Sequence, residues 1–363
     1  MTNRIHNFGA GPAVLPEAVL ERARAHLLAL PGVGMSVLEI SHRSKAFDEI
    51  LAVAEANIRA LAGVSDDYHV LFLQGGATLQ FSMVPMNLLP RGESAVADYV
   101  LTGSWAQQAA AEAEKFGTVR IAGTTQPDGY RRVPAQDELT LSGKASYVHL
   151  TTNNTIVGTQ WRAIPETGDV PLVVDASSDI FSRPLEIDRH GLIYAGAQKN
   201  LGPAGVTVVI IRRDLAERGP ASLPKLLRYA THVKGGSRAN TPPVFSIYLV
   251  SLVTAWLREQ GGLDAMAERN ARKADMLYAA IDRTGFYRGV AEPGHRSLMN
   301  ATFRLADGGL ESRFAAEADA AGLAGLQGHR SVGGLRASLY NACPAESVSA
   351  LVEFMAEFER RHG

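Results

Sequence analysis

Short apolar runs that alternate with segments of helical periodicity constrain the fold of this chain more than any other feature. Each run is apolar almost throughout, as parallel strands covered on both faces are. The runs are residues 69–73, 94–100, 147–150, 171–175, 192–195 and 206–211. Residues 47–61 instead place their apolar side chains on one helical face and end close to Gly63. This alternation predicts an α/β protein with a large doubly wound sheet, parallel or mixed.

The character of the chain changes after about residue 260, where two glycines, Gly261 and Gly262, interrupt it. An Ala-rich helical stretch follows over residues 263–281, then a strand-like piece at 299–303, and an amphipathic helix is predicted over 346–361. We therefore expect a smaller α+β domain over residues 261–363 beside a large domain over residues 16–260. The N-terminal segment, residues 1–15, is expected to join the two.

Charge and cysteine content exclude several classes of function. Lys and Arg total 36 against 37 Asp and Glu, a balance that argues against a dedicated binder of nucleic acid or anionic membranes. The single cysteine, Cys343, excludes an internal disulfide and a cysteine-based zinc cluster and points to a reducing compartment. No spacing of His, Asp or Glu indicates a metal site. The longest apolar stretch, residues 243–257, is too short to span a bilayer, and no signal peptide is visible, so a soluble, cytoplasmic protein is expected.

Polar clusters follow several predicted strands, at the edge where open α/β sheets bind ligands. Residues 74–78, Gln-Gly-Gly-Ala-Thr, come after one strand and before a helical stretch. The two glycines let backbone N–H groups approach an anion at a helix N-terminus. The same pattern also fits an ordinary strand-to-helix turn. The chain contains neither G-x-G-x-x-G nor a Walker A lysine motif, so nucleotide binding is not indicated.

Asp175 ends one predicted strand, and Lys199 follows the next strand in a Gly- and Pro-rich loop of small and apolar residues. Such surroundings suit a lysine that needs a lowered pKa. An aspartate and a lysine at successive strand ends are how a pyridoxal-phosphate site is assembled. There the lysine forms a Schiff base with the aldehyde, and the aspartate pairs with the pyridinium nitrogen. A turn aspartate and a solvated lysine are the alternative interpretation.

Motifs that run in order along essentially the whole chain resemble the class V aminotransferase group of fold-type I pyridoxal-phosphate enzymes. They are residues 7–12, 39–43, 74–78, 152–158, 175–178, 195–200, 240–243 and 328–341. The resemblance implies the fold-type I architecture, with pyridoxal 5'-phosphate as cofactor.

Carried over position by position, the resemblance assigns roles to individual residues. Lys199 would be the Schiff-base lysine and would move the proton between Cα and C4′, while Asp175 would pair with the pyridine nitrogen. Trp105 would stack on the ring, and Thr155 would bond the phenolic oxygen. The cofactor phosphate would be held by Ala77, Thr78 and Gln198 of the same chain and by Asn240 and Thr241 of a neighbouring subunit. The resemblance thereby implies a homodimer with shared active sites.

Substrate recognition follows partly from chemistry alone. The α-carboxylate of an amino acid needs an arginine, because the planar guanidinium matches a carboxylate bidentately, and Arg336 is the candidate. A phosphate on the substrate side chain needs a further cationic cluster. The two pairs His42-Arg43 and His329-Arg330 would supply it if both fold onto one pocket. Two unrelated basic pairs on the surface are the alternative.

The leading interpretation is amino transfer between L-glutamate and a phosphorylated 2-oxo acid. In the members of this group that the motifs resemble most, the acid is 3-phosphohydroxypyruvate, which gives O-phospho-L-serine in serine biosynthesis, and related members act on the phosphohydroxythreonine pair of pyridoxine biosynthesis. By the resemblance, the reaction is ping-pong through an aldimine of Lys199. One residue departs from the pattern: Thr78 stands where some members carry an arginine able to touch the substrate phosphate. Either the basic pairs suffice, or affinity for the phosphate is reduced.

Three alternatives remain. An aminotransferase of the alanine–glyoxylate or serine type would leave the His-Arg pairs unexplained. A lyase such as a cysteine desulfurase needs a nucleophilic cysteine on a mobile loop, and Cys343 has no matching motif. A cofactor-binding regulator or scaffold predicts loss of Lys199 or an added DNA-binding domain, and neither is seen.

Overall fold

A seven-stranded sheet forms the centre of the protein in a computed structural model that describes residues 4–89 and 95–363. The strands, numbered along the chain, are β1 (His6–Asn7), β2 (Tyr68–Leu73), β3 (Val96–Leu101), β4 (Thr118–Thr124), β5 (Val148–Thr151), β6 (Asn153–Asn154), β7 (Thr159–Gln160), β8 (Leu172–Asp175), β9 (Leu192–Gly196), β10 (Thr207–Arg212), β11 (Tyr287–Gly289), β12 (Asn300–Leu305), β13 (Leu323–Ala324) and β14 (Leu335–Ser338). The α-helices are α1 (Glu17–His26), α2 (Lys45–Ala62), α3 (Gly76–Leu88), α4 (Ser104–Ala113), α5 (Arg213–Ala216), α6 (Tyr229–Lys234), α7 (Val244–Glu259), α8 (Gly262–Asp282), α9 (Glu311–Ala320) and α10 (Ala345–His362).

The strand order of the large sheet is β2-β10-β9-β8-β5-β3-β4. β10 runs antiparallel to β2 and β9, and every other neighbouring pair is parallel. Side chains of β2 alternate between two cores, with Val70 and Phe72 in one and Leu71 and Leu73 in the other. Because helices cover both faces, the central strands are apolar on both sides. The predicted α/β fold with a large mixed sheet is confirmed.

The strands of this sheet match the six predicted runs to within two residues. Residue 94, at which one predicted strand begins, lies outside the described residues, and the described part of that run is β3. The sequence pattern misses β4, which lies at the edge of the sheet. Thr118, Ile121 and Thr124 of this strand are exposed, and Arg120 and Gly123 interrupt its apolar residues, so no continuous apolar run marks it.

Helix α2 begins two residues before the predicted stretch 47–61 and ends, as predicted, at Gly63. The N–H of Phe47 donates to the Ser44 hydroxyl at 3.3 Å, which caps the first turn. Gly63 ends the helix in the left-handed conformation, with φ of +63°. The longest apolar stretch, residues 243–257, lies almost entirely in α7, which packs against α2. Within the described ranges, no helix has the length and apolarity needed to cross a membrane.

The chain beyond α7 builds a second, antiparallel sheet of β11, β12 and β14, which packs with α8 and α10. Its core is aromatic and includes Tyr287, Phe303, Phe314 and Phe358. β1 pairs in parallel with β13, so the N-terminal segment reaches this part of the protein. The division into residues 16–260 and 261–363, joined by residues 1–15, stays a prediction, and residues 1–3 lie outside the described part of the chain.

Candidate active site

A cavity of about 320 Å³ lies at the carboxyl ends of β8 and β9, facing the N-terminus of α3. This is the range of volumes that small-molecule sites occupy. It is lined by nine of the residues predicted from the sequence, Ala77, Thr78, Trp105, Thr155, Asp175, Gln198, Lys199, His329 and Arg336. These side chains are up to 259 residues apart in sequence (336 − 77). They meet because the ends of β8 and β9, the N-terminus of α3, and β14 all border the cavity.

Asp175 is the last residue of β8 and is 5% exposed. Its Oδ1 accepts hydrogen bonds from the backbone N–H and the hydroxyl of Ser177, at 2.9 and 2.6 Å. The Ser177 hydroxyl in turn accepts from the N–H of Gly196 at 3.0 Å, which locks the aspartate between two strands. Burial raises the pKa of Asp175, and the nearby Lys199 opposes that change. Both bonds go to Oδ1, so Oδ2 remains available to a cationic nitrogen in the cavity.

Lys199 follows the end of β9 by three residues and is half-buried, with one side open to the cavity. Burial lowers the pKa of its ammonium, Asp175 raises it, and Arg336 lowers it further. The Lys199 Nζ lies 5.6 Å from the centroid of the Trp105 ring. The Trp105 Nε1 donates to the Thr155 hydroxyl at 3.2 Å, which orients the indole. A flat ring stacked on Trp105 would therefore lie within reach of Lys199.

The first turn of α3 forms an anion-binding end of the cavity. Gly75 and Gly76 both have positive φ, +93° and +67°, and a Cβ on Gly75 would lie 2.4 Å from Leu79 Cδ2. Only glycine fits the turn that leads from β2 into this helix. The N–H groups of a first helical turn have no partner within the helix, and Ala77 and Thr78 present theirs beside the cavity.

These features together fit pyridoxal phosphate. The helix N-terminus suits its phosphate, the indole suits the face of its ring, and the available carboxylate oxygen of Asp175 suits its pyridine nitrogen. The lysine required to react with the aldehyde lies in the same cavity. The arrangement is able to hold the cofactor and to move protons beside it.

Arg336, on β14, closes another side of the cavity. Its Nη1 donates to the carbonyl of Thr155 at 2.8 Å, and its Nε is buried with no partner among the described residues. Burial lowers the pKa of Arg336. His329 lines the cavity as well, and its Nδ1 lies 2.6 Å from the Ser331 hydroxyl. Burial, followed by the charges of Arg336 and Arg330, lowers the pKa of His329.

Five of the predicted residues do not line this cavity: His42, Arg43, Asn240, Thr241 and Arg330. Within one chain the two His-Arg pairs therefore do not converge, and only His329 contributes. His42 and Arg43 precede α2, where Arg43 is exposed, and Arg330 lies in an exposed surface depression.

Asn240 and Thr241 contact the residue that precedes the glycines of the anion site. Asn240 Nδ2 donates to Gln74 Oε1, and Gln74 Nε2 donates to the carbonyl of Thr241, both at 2.9 Å.

Sequence reasoning assigned no role to Ala10, Gly11, Phe81 and Ser177, which also line the cavity together with Gly76 of the predicted anion-binding turn. Ala10 and Gly11 lie within the motif at residues 7–12, so the resemblance marked the segment without indicating its position. Ser177 likewise lies within the motif at residues 175–178, whereas Phe81 carries no comparable signal beyond its closeness to the motif at residues 74–78.

Comparisons with known proteins agree along the whole chain. A family model for class-V aminotransferases matches residues 5–351. The phosphoserine aminotransferase of Herpetosiphon aurantiacus is 54% identical over 360 residues, 99% of each chain, and that of Pseudomonas aeruginosa is 53% identical over 363 residues, 100% of each.

Solved structures agree as well. The phosphoserine aminotransferase of Bacillus circulans subsp. alkalophilus superposes with a TM-score of 0.97 at 50% identity, covering 100% of both chains. A pyridoxal-phosphate-bound phosphoserine aminotransferase from Trichomonas vaginalis has a TM-score of 0.92 at 40% identity, covering 97% of this chain and 100% of that one. Because the family model and these relatives span nearly its full length, the chain belongs to the class-V aminotransferase family.

Proposed function

We propose that the protein transfers the amino group of L-glutamate to 3-phosphohydroxypyruvate, which yields 2-oxoglutarate and O-phospho-L-serine. The observation that carries this proposal is the meeting of Asp175 and Lys199 in one cavity. It occurs in a chain that is 52–54% identical to phosphoserine aminotransferases over nearly its whole length. The protein is a pyridoxal-phosphate-dependent transaminase, and the reaction belongs to serine biosynthesis.

When bound, pyridoxal phosphate supplies an aldehyde that exchanges amino groups and a ring that withdraws electrons. Asp175 would hold the pyridine nitrogen, Trp105 the face of the ring and Thr155 the phenolic oxygen. The first turn of α3 and Gln198 would hold the phosphate. The cofactor would thus be fixed on several sides, which leaves Lys199 and Arg336 to act on the substrate.

Lys199 is the base of the proposed reaction. Burial lowers the pKa of its ammonium, which increases the fraction of neutral amine that can take a proton from the substrate Cα. A base whose pKa lies nearer the working pH transfers protons more efficiently.

Arg336 would bind the α-carboxylate that both substrates share. Its buried Nε has no partner among the described residues, and such an orphaned donor is costly unless a ligand supplies the acceptor. A carboxylate bound through Nε and one terminal nitrogen would satisfy it bidentately. The carbonyl of Thr155 already holds Nη1 and fixes the orientation of the guanidinium.

The substrate phosphate needs more positive charge than one chain provides, because Thr78 is uncharged and only His329 of the four predicted basic residues reaches the cavity. A homodimer with shared active sites would supply it. The segment beside His42 and Arg43 exposes four apolar side chains, Leu27, Leu28, Met35 and Leu38, of which Leu28 is 90% exposed. A second copy covering this patch would bury it and carry Arg43 to the partner's cavity. Asn240 and Thr241 would reach the partner's cofactor phosphate in the same way.

Mixed dimers test this arrangement. Lys199→Ala and Arg43→Ala should each be inactive towards the phosphorylated substrate when assayed alone. After equal amounts of the two variants are mixed and allowed to exchange subunits, each hybrid dimer contains one site with both residues intact. Half of the dimers are then hybrids, so about a quarter of the wild-type activity should return. If mass spectrometry verifies that subunits have exchanged and the activity still does not recover, the shared site is contradicted.

The amino acceptor tests the proposed substrate. With L-glutamate as donor, kcat/KM for 3-phosphohydroxypyruvate should exceed that for unphosphorylated hydroxypyruvate by at least about 100-fold, since a site built for a charged group rejects analogues that lack it. Equal values, or a preference for glyoxylate, would favour another aminotransferase of the family.

The proposed location is the cytoplasm. One cysteine in 363 residues suits a reducing compartment. Cell fractionation with an antibody to the protein would test the assignment, and recovery in a membrane or extracytoplasmic fraction would contradict it.

A further inference from the structure

The N-terminal segment lies directly against Lys199. Ala10 and Gly11 form part of the cavity wall, and a Cβ on Gly11 would come within 3.3 Å of Lys199 Cγ. The N–H of Ala13 donates to the carbonyl of Gln198 at 2.8 Å, which anchors one end of the segment. The position of Ala10 and Gly11 therefore decides how much room a substrate has beside the lysine.

A single buried hydroxyl group holds this segment at its middle. The Tyr340 OH donates to the carbonyl of Ala10 at 2.8 Å and accepts from Asn300 Nδ2 at 3.2 Å. The side chain is 1% exposed, and burial raises the pKa of Tyr340 to about 12. The phenol therefore keeps its proton, and remains a donor, throughout the pH range in which enzymes work.

Asn300, in turn, is held by a buried network that reaches β6 and the turn after β8. Its Oδ1 accepts from Asn153 Nδ2 at 2.8 Å, and the same Nδ2 donates to the Ser178 hydroxyl at 2.8 Å. The Ser297 hydroxyl donates to Asn153 Oδ1 at 2.6 Å. Because each amide has several partners, the direction of the Asn300 donor towards Tyr340 is fixed.

The backbone of Tyr340 is fixed as well. Lys273 Nζ is buried and donates to three carbonyls of residues 339–343, at 2.8, 2.8 and 3.1 Å. The N–H of Asn341 donates at 2.9 Å to Oδ1 of Asn200, the residue after Lys199. Both the backbone and the hydroxyl of Tyr340 are thus fixed, and the hydroxyl holds the middle of the N-terminal segment between the backbone bonds of Phe8 and Ala13.

We propose that Tyr340 is a positioning residue, whose hydroxyl holds Ala10 and Gly11 against Lys199 so that the substrate side of the cavity has a fixed wall. The inference deepens the proposed function and rests on it for the identity of the substrates. Tyr340 makes no hydrogen bond to Asp175, Trp105 or the first turn of α3, which are the groups that would hold the cofactor. Loss of the hydroxyl should therefore weaken substrate binding and leave cofactor binding intact.

Tyr340→Phe removes the hydroxyl and keeps the ring, and Tyr287→Phe is its matched control. The Tyr287 OH also donates to a backbone carbonyl at 2.8 Å, that of Met355, and the side chain is 2% exposed in the aromatic core away from the cavity. Tyr340→Phe should raise KM for glutamate about tenfold, the value of one hydrogen bond, with kcat changed by less than about threefold. Tyr287→Phe should leave both constants unchanged.

Two further readouts separate positioning from a general loss of structure. Amide hydrogen exchange at Phe8 and Ala13, which anchor the segment, should be faster in Tyr340→Phe than in Tyr287→Phe. The visible absorption of the bound cofactor should be the same in both variants. The increase in KM for glutamate should appear in the half-reaction with glutamate alone. It can therefore be measured even if 3-phosphohydroxypyruvate proves not to be the acceptor.

The proposal is overturned if Tyr340→Phe has the same glutamate KM and exchange rates as Tyr287→Phe. It is also overturned if Tyr340→Phe lowers kcat at constant KM or loses the cofactor, because the hydroxyl would then act on the chemistry or on cofactor binding. A preference of the wild type for an unphosphorylated acceptor would instead contradict the proposed function and leave the glutamate comparison valid.

Discussion

A buried histidine should make the protein sensitive to acid. His149 on β5 lies between the rings of Tyr99 and Tyr194, with centroid distances of 4.7 and 5.9 Å. Its Nε2 is 2.8 Å from the Tyr194 hydroxyl, and its Nδ1 has no partner among the described residues. With no carboxylate beside it to stabilise a charge, burial lowers the pKa of His149 to about 3.

The sign of the effect follows from linkage. The pKa of His149 in the folded protein lies below its value of about 6.5 in the unfolded chain, so the unfolded chain binds the proton first. The stability that the neutral ring contributes is fully present above pH 6.5 and falls as the pH drops towards 3. The loss is about 1.4 kcal/mol per pH unit, or about 2 kcal/mol at pH 5.

Urea denaturation at pH 7 and pH 5 measures this loss. His149→Phe should be less stable than wild type at pH 7, because the Tyr194 hydroxyl loses its partner. Between pH 7 and pH 5, however, the variant should lose about 2 kcal/mol less than wild type. Tyr99→Phe is the control, since it disturbs the same cluster, keeps the imidazole and should keep the full acid sensitivity. Equal losses in wild type and His149→Phe would refute the reasoning.

Four further outcomes are expected at the active site. Borohydride reduction of the holoenzyme should attach the cofactor to the peptide containing Lys199, and mass spectrometry that finds it on another lysine would contradict the assignment. Asp175→Asn should lower kcat about 100-fold in steady-state assays, because the neutral amide cannot stabilise a protonated pyridine nitrogen. Arg336→Ala should raise KM for glutamate and phosphoserine alike, by about 10- to 100-fold. His329→Ala should raise KM for the phosphorylated substrate more than for glutamate, because His329 is the predicted basic partner of the phosphate that lines the cavity, and equal increases would count against its phosphate role.

Local pattern was sufficient for most of the fold. The apolar runs that became β3, β5 and β8–β10 are central strands, whose burial on both faces favours apolar side chains. β2 lies at one edge of the sheet but is buried at five of its six positions. The same reasoning fails for β4, because an edge strand can remain half exposed and carry Arg120. Helix α2 was predictable because its apolar residues recur on one helical face and its terminal Gly63 acts on the backbone locally.

Local motifs were sufficient to predict which residues meet in the cavity. Asp175, Lys199 and the glycines before α3 follow strands of one sheet, and the carboxyl ends of its parallel strands meet at one edge, so their order along the chain predicts their proximity. The packing of distant elements was needed to show which basic residues reach the cavity and what covers Lys199. His329 reaches it and His42 does not, and the Tyr340–Ala10 bond joins residues 330 positions apart. Such contacts depend on how whole elements pack against each other, which no local periodicity of the sequence records.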